Sequence, residues 1–354
     1  MYFFGSRRWK TVEYSRSQII KAGKTVKKLF NEKLSDEMVV QLLDATDVID
    51  NWRAAHAYPM HVIYTHLRRM ARDHTGIIVA ERLKRLDSIV NKLVREPTMS
   101  LWTMQDLGGC RFIVPTIDDV YAYAEKYENS RKRHELKNTY DYLRNPKASG
   151  YRSLHRVYEY HSDKTELYNK NMLVEIQFRT HLQHVWATAV ETMGLFTKQA
   201  IKSGQGSEDV KRFFALVSSL FAIEEGCITV PGTPSTLDEL ITEIRLLNDK
   251  CNFLDMLSAI RVAVDNRAGE KLSQGYYILI LNYNTRRLRV RYFKPSQIEE
   301  ANEVYSQIEK ERAESQIDAV LVSVSSFAAL KTAYPNYFSD IGEFISRVKK
   351  YLAC

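Results

Sequence analysis

The chain has 354 residues, which at ~100 to 200 residues per domain predicts two domains. Hydrophobic residues make up 45% of it and charged residues 27%, a composition that excludes a disordered chain. No apolar run approaches the ~18 residues of a membrane helix, so we expect a folded cytoplasmic protein without a membrane partner. The four cysteines form no CxxC pair, which predicts neither a disulfide framework nor a zinc site.

The positive charge of the chain is confined to its first two thirds. The net charge is +8, and residues 231–354 contain 16 Lys+Arg and 16 Asp+Glu, which leaves 35 against 27 in residues 1–230. Such a one-sided excess favours an anionic partner, either nucleotide phosphates or a nucleic acid backbone. Solvated surface lysines explain it equally well.

The order of predicted elements indicates an α+β fold. Residues 1–95 have helical periodicity, with a break at Pro59 and a last helix around Arg82 to Val94. Strands and helices then alternate along the chain. The predicted strands are CRFIV, YRSLHRVYEYH and LYNKNMLVEIQFRT, and the predicted helices are Asp118 to Tyr127 and Leu182 to Met193.

A domain boundary is expected at TVPGTPST, Thr229 to Thr236, where two prolines and a glycine interrupt the chain. It divides residues 1–230 from residues 231–354. Thr236 and Glu239 form a capping-box pattern for the helix that follows. The second part then reads as a hairpin (GYYILILNYN and RRLRVRYF), a charged helix, an apolar strand around Val320 and closing helices, a small C-terminal α/β domain.

Two acids stand in predicted strands, where unpaired carboxylates are rare. Asp106 precedes the strand that begins at Gly108, and Glu175 lies inside the strand LVEIQFRT. Two neighbouring carboxylates suit Mg²⁺-dependent phosphoryl transfer, because they supply oxygen ligands for the ion and a base for a hydroxyl proton. The alternative is a pair of structural salt bridges, with Arg111 for Asp106 and with Arg152 or Arg179 for Glu175.

Two further segments carry candidate phosphate and base contacts. Lys84, Ser88 and Lys92 recur every fourth residue, so a helix would line them up as a cationic face, although such faces are usually only solvated. The loop KASGYRSLH presents Tyr151 and His155 at the start of a strand. A tyrosine in that position can stack on a purine.

The strings RLKRLDSI, DLGGCRF, KASGYRSLH and VEIQFRT, in this order, resemble the synthetase region of the RelA/SpoT homologue family. The resemblance implies a nucleotidyltransferase-like mixed sheet with flanking helices and transfer of pyrophosphate from ATP to a hydroxyl. It implies that Asp106 binds Mg²⁺ and that Glu175 is the base or a second metal ligand. By the same resemblance, ATP contacts are Arg82, Lys84, Ser88, Lys92 and Arg111, and acceptor contacts are Tyr151, Arg152, His155, Gln177 and Arg179.

The resemblance leaves the acceptor of the pyrophosphate open, because the family has two branches. One branch makes the alarmones (p)ppGpp or ppApp, and the other contains toxins that modify the tRNA 3′ CCA end. The strings YSRSQIIKAGKTVKKL and NWRAAHAYPM resemble the toxic branch, and the basic N-terminal part suits a tRNA backbone. The candidate tRNA contacts are Lys21, Lys24, Lys27, Lys28, Arg131, Lys132, Arg133 and Lys137. A catalytically inactive RNA-binding module is a third hypothesis, disfavoured because both acids are present.

The C-terminal part resembles the antitoxin region of CapRel-type fused toxin-antitoxins. Tyr334-Pro335-Asn336-Tyr337 matches a YxxY motif that fills the adenine pocket and keeps the enzyme inactive. The alternative is that both tyrosines are core residues. The resemblance implies anti-phage abortive infection, triggered when a phage protein, expected to be the major capsid protein, binds apolar C-terminal surface such as Val320 or Ala333.

Overall fold

The structure is a computed structural model that describes residues 9–30, 32–33, 35–163, 166–200, 207–258, 263–265, 275–282, 287–311, 317–324 and 341–353. The helices are α1 Arg16–Leu29, α2 Asp36–Ala55, α3 Ala57–Met70, α4 Leu86–Arg95, α5 Ile117–Glu128, α6 His181–Ala200, α7 Ser207–Glu224, α8 Leu237–Cys251, α9 Phe253–Ser258, α10 Ile298–Glu311 and α11 Gly342–Leu352. The strands are β1 Ile78–Leu83, β2 Gly108–Val114, β3 Glu135–Asp141, β4 Leu154–Glu159, β5 Leu173–Thr180, β6 Ala263–Asp265, β7 Gly275–Asn282, β8 Arg287–Phe293 and β9 Ile317–Val324.

One sheet joins all nine of these strands in the order β3-β4-β5-β2-β1-β9-β7-β8-β6. β2 pairs with β5 in parallel, as does β6 with β8, and the other neighbours are antiparallel. Helices flank the sheet. The predicted α+β class with a mixed sheet and flanking helices is confirmed.

The helix predicted around Arg82 to Val94 is wrong at its start, because residues 78–83 form β1. The run Ile77-Ile78-Val79 is β-branched, and β1 pairs with β2 on one side and β9 on the other, so tertiary pairing decides its conformation. α4 begins only at Leu86, which leaves Lys84 in the connection. Pro59 lies in the first turn of α3, where proline is tolerated, and the break falls at His56.

The amphipathic helices form separate apolar clusters around the sheet. α3 and α5 cover strands β1, β2, β4 and β5. α1, α2 and α4 pack together in a second cluster with the segment that precedes β2. α10 covers β7 to β9 through residues such as Tyr305 and Ala301. A further cluster joins α6 and α7 to α8, α9 and α11.

The C-terminal elements share both the sheet and a core with the rest of the chain. β9 pairs with β1, with Val322 opposite Arg82, and α11 packs against α7 through Phe344. Thr236 is the N-cap of α8 as predicted, but its hydroxyl donates to the Glu239 carboxylate instead of accepting from the backbone. The boundary between residues 1–230 and 231–354 stays a prediction.

Within the described part of the chain, no helix is both long enough and apolar enough to cross a lipid bilayer.

Replacement of Phe344 tests whether α11 unfolds together with residues 1–230. Its ring is fully buried, with centroids 5.7 Å from Phe214 and 6.0 Å from Phe221 of α7. We expect Phe344→Ala to lower the free energy of unfolding by about 3 to 5 kcal/mol in one calorimetric transition. The matched control is Leu246→Ala on α8, because Leu246 is 65% exposed and its loss changes stability by about 0.5 kcal/mol or less. Two transitions, of which only one shifts, would contradict the shared unit.

Candidate active site

A cleft opens over the sheet where β1, β2 and β5 lie side by side. Arg82 of β1 is opposite Gly109 of β2, which is opposite Glu175 of β5, so the three positions form one row. Gly109 has no side chain, which leaves room between the arginine and the glutamate. The charged and amide side chains that line the cleft are Arg82, Lys84, Asp106, Arg111, Glu175 and Gln177. Its volume is about 90 Å³.

Asp106 lies between two ammonium groups. Its Oδ2 is 2.8 Å from Lys84 Nζ, and its Oδ1 is 3.0 Å from Lys92 Nζ. Burial acts to raise the pKa of Asp106, but the nearby Lys84 and Lys92 outweigh it and lower the pKa below the usual value. The carboxylate is therefore ionised at neutral pH, with both oxygens paired to cations.

Glu175 is held by two hydrogen-bond donors. Its Oε2 is 3.0 Å from His155 Nδ1, and its Oε1 accepts from Gln177 Nε2 at 2.6 Å. Burial acts to raise the pKa of Glu175, but the hydrogen bond from His155 and its charge lower it below the usual value. His155 Nε2 is 2.8 Å from the Tyr151 hydroxyl. Tyr151, His155 and Glu175 thus form a continuous polar chain.

The cationic side of the cleft includes a buried guanidinium. Arg179, two residues beyond Gln177 on the same face of β5, donates to His184 Nδ1 at 2.6 Å. Burial, together with the neighbouring charge of Arg111, lowers the pKa of Arg179 to about 9. Its Nε has no hydrogen-bond partner within the described residues. An anion is what such a cluster of cations is suited to bind.

The loop before β4 is fixed against α6 and α7. Gly150 has a φ of +88°, and a Cβ there would lie 2.8 Å from Ser218 Cβ and 2.9 Å from the Trp186 ring. Only glycine meets both constraints. Arg152, predicted to contact the acceptor, is buried and donates to the Ser218 hydroxyl and to the Ile228 carbonyl. This placement favours a role in anchoring the loop.

Aromatic rings surround the predicted stacking residue. The Tyr142 ring centroid is 5.9 Å from that of Tyr151 and 5.3 Å from that of His155, both edge-on. Lys147 Nζ lies 4.1 Å from the Tyr142 centroid and 5.6 Å from the Tyr151 centroid. Tyr142 and Lys147 are not among the predicted site residues, although Lys147 begins the KASGYRSLH string that could have indicated it.

The predicted tRNA contacts on α1 differ in their surroundings. Lys27 Nζ donates to three backbone carbonyls after α4, those of Glu96, Pro97 and Met99. Partial burial lowers the pKa of Lys27, while Glu96 opposes that shift. Lys28 is exposed. Lys27 therefore has a structural task at the end of α4 that Lys28 does not share.

The second predicted tRNA cluster lies at the β3 edge of the sheet. Arg131 is exposed, and Arg133 Nε is 2.6 Å from an Asp163 carboxylate oxygen. Lys137 Nζ is 2.8 Å from an oxygen of both Glu135 and Glu159. With His161, those two glutamates could hold a metal ion, but the Lys137 ammonium already pairs with both carboxylates.

The structure thus brings six of the predicted site residues into the lining of one cleft, and Lys92, His155 and Tyr151 connect to it through Asp106 or Glu175. Ser88 lies on α4 one turn before Lys92, and Lys92 reaches the cleft through Asp106. Tyr334 and Tyr337 lie outside the described residues, as does Ala333.

Lys27 and Lys28 form a matched pair for separating a structural lysine from a tRNA-binding one. We expect Lys27→Met to lower the free energy of unfolding by about 1 to 2 kcal/mol, because the carbonyls of Glu96, Pro97 and Met99, just after α4, lose this donor. Lys28→Met should change it by about 0.5 kcal/mol or less. Denaturant titration of both variants measures this. Equal stability of the two would show that the Lys27 contacts contribute nothing to the fold.

Residues 81–199 match the family described as the region found in RelA/SpoT proteins. Two relatives from Bacillus subtilis (strain 168) are GTP pyrophosphokinase YjbM, 38% identical over 119 residues, and GTP pyrophosphokinase YwaC, 28% identical over 171 residues. These matches cover 33% and 43% of this chain, and 56% and 79% of the relatives. The chain thus spans little more than half the length of YjbM.

Among solved structures, the small alarmone synthetase 1 from Bacillus subtilis bound to its product pppGpp is 29% identical, with a TM-score of 0.41. That match covers 49% of this chain and 89% of the other. Asp106, Arg111, Tyr151 and Glu175 all lie inside the matched residues 81–199. The cleft therefore lies within residues 81–199, the part of the chain that matches this family and is similar to GTP pyrophosphokinases.

Proposed function

We propose that the chain is a pyrophosphokinase that uses ATP as donor. The observation that carries this proposal is the pair of ionised carboxylates, Asp106 and Glu175, in a cleft whose other charged side chains are all cations. The cations suit a polyphosphate, and a carboxylate facing it suits the removal of a hydroxyl proton. The similarity to GTP pyrophosphokinases over residues 81–199 supports the same reaction class.

In the proposed reaction, Glu175 accepts the proton of an acceptor hydroxyl. A bond forms between that oxygen and the β-phosphorus of ATP, the bond from the β-phosphorus to the α,β-bridging oxygen breaks, and AMP leaves. His155 and Gln177 orient the Glu175 carboxylate, since each donates to one of its oxygens. Arg82, Arg111 and Lys84 stabilise the charge that builds on the transferred group.

The residues of the cleft fit a Mg²⁺ ion. Asp106 and Glu175 supply the hard carboxylate oxygens that this ion prefers, and the ammonium groups of Lys84 and Lys92 now pair with the Asp106 oxygens where a cation would bind. Bound there, Mg²⁺ would neutralise phosphate charge during transfer. The two lysines would then be released to contact phosphate oxygens themselves.

For the acceptor we propose the 3′ CCA end of tRNA, which would stop translation in the cytoplasm. The excess of +8 in residues 1–230 supports a nucleic acid acceptor, as does exposed Lys28 on α1 and Arg131 at the β3 edge. The alternative is a (p)ppGpp or ppApp alarmone synthetase with a regulatory C-terminal region. The names of the two relatives, both GTP pyrophosphokinases, favour that alternative.

We further propose that Tyr334 and Tyr337 plug the adenine pocket until a phage protein, by resemblance the major capsid protein, binds the C-terminal region. The two described ends of the intervening segment support a position near the cleft. β9 ends at Val324 beside β1, and α11, which follows Ile341, packs on the helices behind the acceptor loop. Ten extended residues after Val324 span up to ~35 Å, which is enough for Tyr334 to reach the proposed ATP side of the cleft.

The donor and acceptor are tested with the variant that carries Tyr334→Ala and Tyr337→Ala, which lacks the proposed plug, incubated with ATP labelled at the γ position, Mg²⁺, tRNA and GTP together. We expect label in tRNA, and Glu175→Gln or Asp106→Asn should lower the rate by at least ~10²-fold because a base or metal ligand is lost. Label in GTP alone would support the alarmone alternative. Near-normal transfer in either variant would return the acids to structural salt bridges.

The autoinhibitory proposal is tested by Tyr334→Ala with Tyr337→Ala. If the two rings fill the pocket as proposed, each contributes about 1.5 to 3 kcal/mol, and removing both would turn a mostly closed population into a mostly open one. We expect arrested growth of cells without phage, and normal growth when Glu175→Gln is added. The control Tyr292→Ala changes a tyrosine of β8, far along the sheet from β1, and should leave cells healthy. A well-folded double variant without toxicity that still responds to phage would identify both tyrosines as core residues.

A further inference from the structure

Helix α4, which carries Ser88 and Lys92, has no N-terminal cap of its own. Its N-cap residue is Arg85, whose side chain makes no capping hydrogen bond, although the first turn of a helix leaves N–H groups unpaired. The oxygen that accepts a hydrogen bond from the first turn of α4 belongs to a distant part of the chain. Glu309 Oε1 of α10 lies 3.4 Å from the Leu86 nitrogen, across 223 residues of sequence.

The opposite end of α4 is held in the same way. There Lys27 of α1 donates to the carbonyls of Glu96 and Pro97, 3.3 Å and 2.8 Å away. A carboxylate at the N-terminus and an ammonium at the C-terminus both match the helix dipole. One charged side chain from each end of the chain therefore fixes α4 along its axis.

Glu309 is itself held firmly. Its Oε2 is 2.5 Å from Arg53 Nη1, and its Oε1 accepts from the Tyr305 hydroxyl at 2.9 Å. The side chains of Arg53 and Glu309 are 2% and 3% exposed, and the guanidinium lies 5.1 Å from the Tyr305 ring centroid. Arg53 also pairs with Asp50 on its own helix. A buried ion pair with this many partners gives Glu309 little freedom to move.

We propose that Glu309 is a positioning residue for α4, the helix that carries the proposed ATP contacts Ser88 and Lys92. By this contact α10, in the C-terminal part, sets the affinity of residues 1–230 for ATP. The inference rests on the proposed ATP site. The connection runs from Glu309 to the first turn of α4, and from Lys92 of α4 to Asp106 in the cleft. An effector that displaces α10 would then weaken ATP binding, whatever happens at Tyr334 and Tyr337. Activation must leave α10 in place.

The test separates the hydrogen bond to Leu86 from the stability of the buried ion pair. Two full-length double variants are compared, Arg53→Met with Glu309→Gln and Arg53→Met with Glu309→Leu, each also carrying Tyr334→Ala and Tyr337→Ala to remove the proposed plug. Both lack the buried charges, and only the glutamine keeps a carbonyl oxygen for the Leu86 N–H. Binding of a non-hydrolysable ATP analogue with Mg²⁺ is measured by calorimetry, beside the thermal midpoint of each variant.

We expect the leucine variant to bind the analogue about 3- to 30-fold more weakly than the glutamine variant, the range that loss of a helix cap gives, at similar thermal midpoints. Equal affinities in the two variants would overturn the inference. If the parent with both tyrosines replaced binds no analogue, the proposed ATP site fails instead, and the two failures are thus distinguished.

A second pair of variants applies if the double variants do not fold. Leu86→Pro removes the N–H itself, and proline suits the first helical position after the extended Arg85, whose ψ is 145°. Leu86→Ala keeps the N–H and loses the same side chain. We expect weaker analogue binding and about 3- to 30-fold faster amide exchange within α4 in the proline variant only. The amides of α5, which has its own Thr116–Asp119 capping box, are the internal control. Identical binding and exchange in both variants would overturn the proposal.

Discussion

The parallel pairing of β2 with β5 determines where the chemistry of this molecule can take place. It sets Gly109 opposite Glu175 and, through the antiparallel pairing of β1 with β2, Arg82 on the far side of that glycine. Asp106 lies just before β2, and its side chain lines the same cleft as the side chain of Glu175. A slip of one residue in β5 would turn Glu175 into the apolar core that contains Val174 and Ile176.

Charge compensation explains why these groups persist in a partly buried place. Asp106 is paired with two ammonium groups, and Glu175 with His155 and Gln177, so that neither carboxylate is left without partners. Arg179 is the exception, because the charges of Arg111 and Arg82 lie near it and its Nε has no hydrogen-bond partner within the described residues. Incomplete compensation of this kind is costly for stability and is expected where a charged substrate will complete the network.

The sequence predicted those parts of the fold whose apolar pattern is local. The strands at residues 110–114 and 173–180, the hairpin of β7 and β8, and helices α5 and α10 were all predicted, because each has a clear period of its own. β1 was missed, since its pairing with β2 and β9 depends on residues far away. β3 was missed for a different reason, because its residues ELKNTYD are mostly polar and form an edge strand.

The site residues were predicted from short strings of sequence. The prediction did not include contacts between residues that are far apart in the chain. Lys84 reaches Asp106 from a loop and not from the predicted helix, yet the same carboxylate unites Lys84 and Lys92. Nothing in the local sequence of α10 marks Glu309 as a cap for α4, because that role exists only after the C-terminal strands have joined the sheet beside β1.

Identification of the fragment of ATP that leaves tests the central proposal most directly. Chromatography of the nucleotides, with the modified acceptor counted in parallel, gives this stoichiometry for the variant with both Tyr334 and Tyr337 replaced. Transfer of an intact pyrophosphate group predicts one AMP for each acceptor molecule modified, and loss of that product when Glu175 is replaced by glutamine. Release of ADP, or of free pyrophosphate with AMP attached to the acceptor, would contradict the account, because the cleft would then catalyse a different transfer.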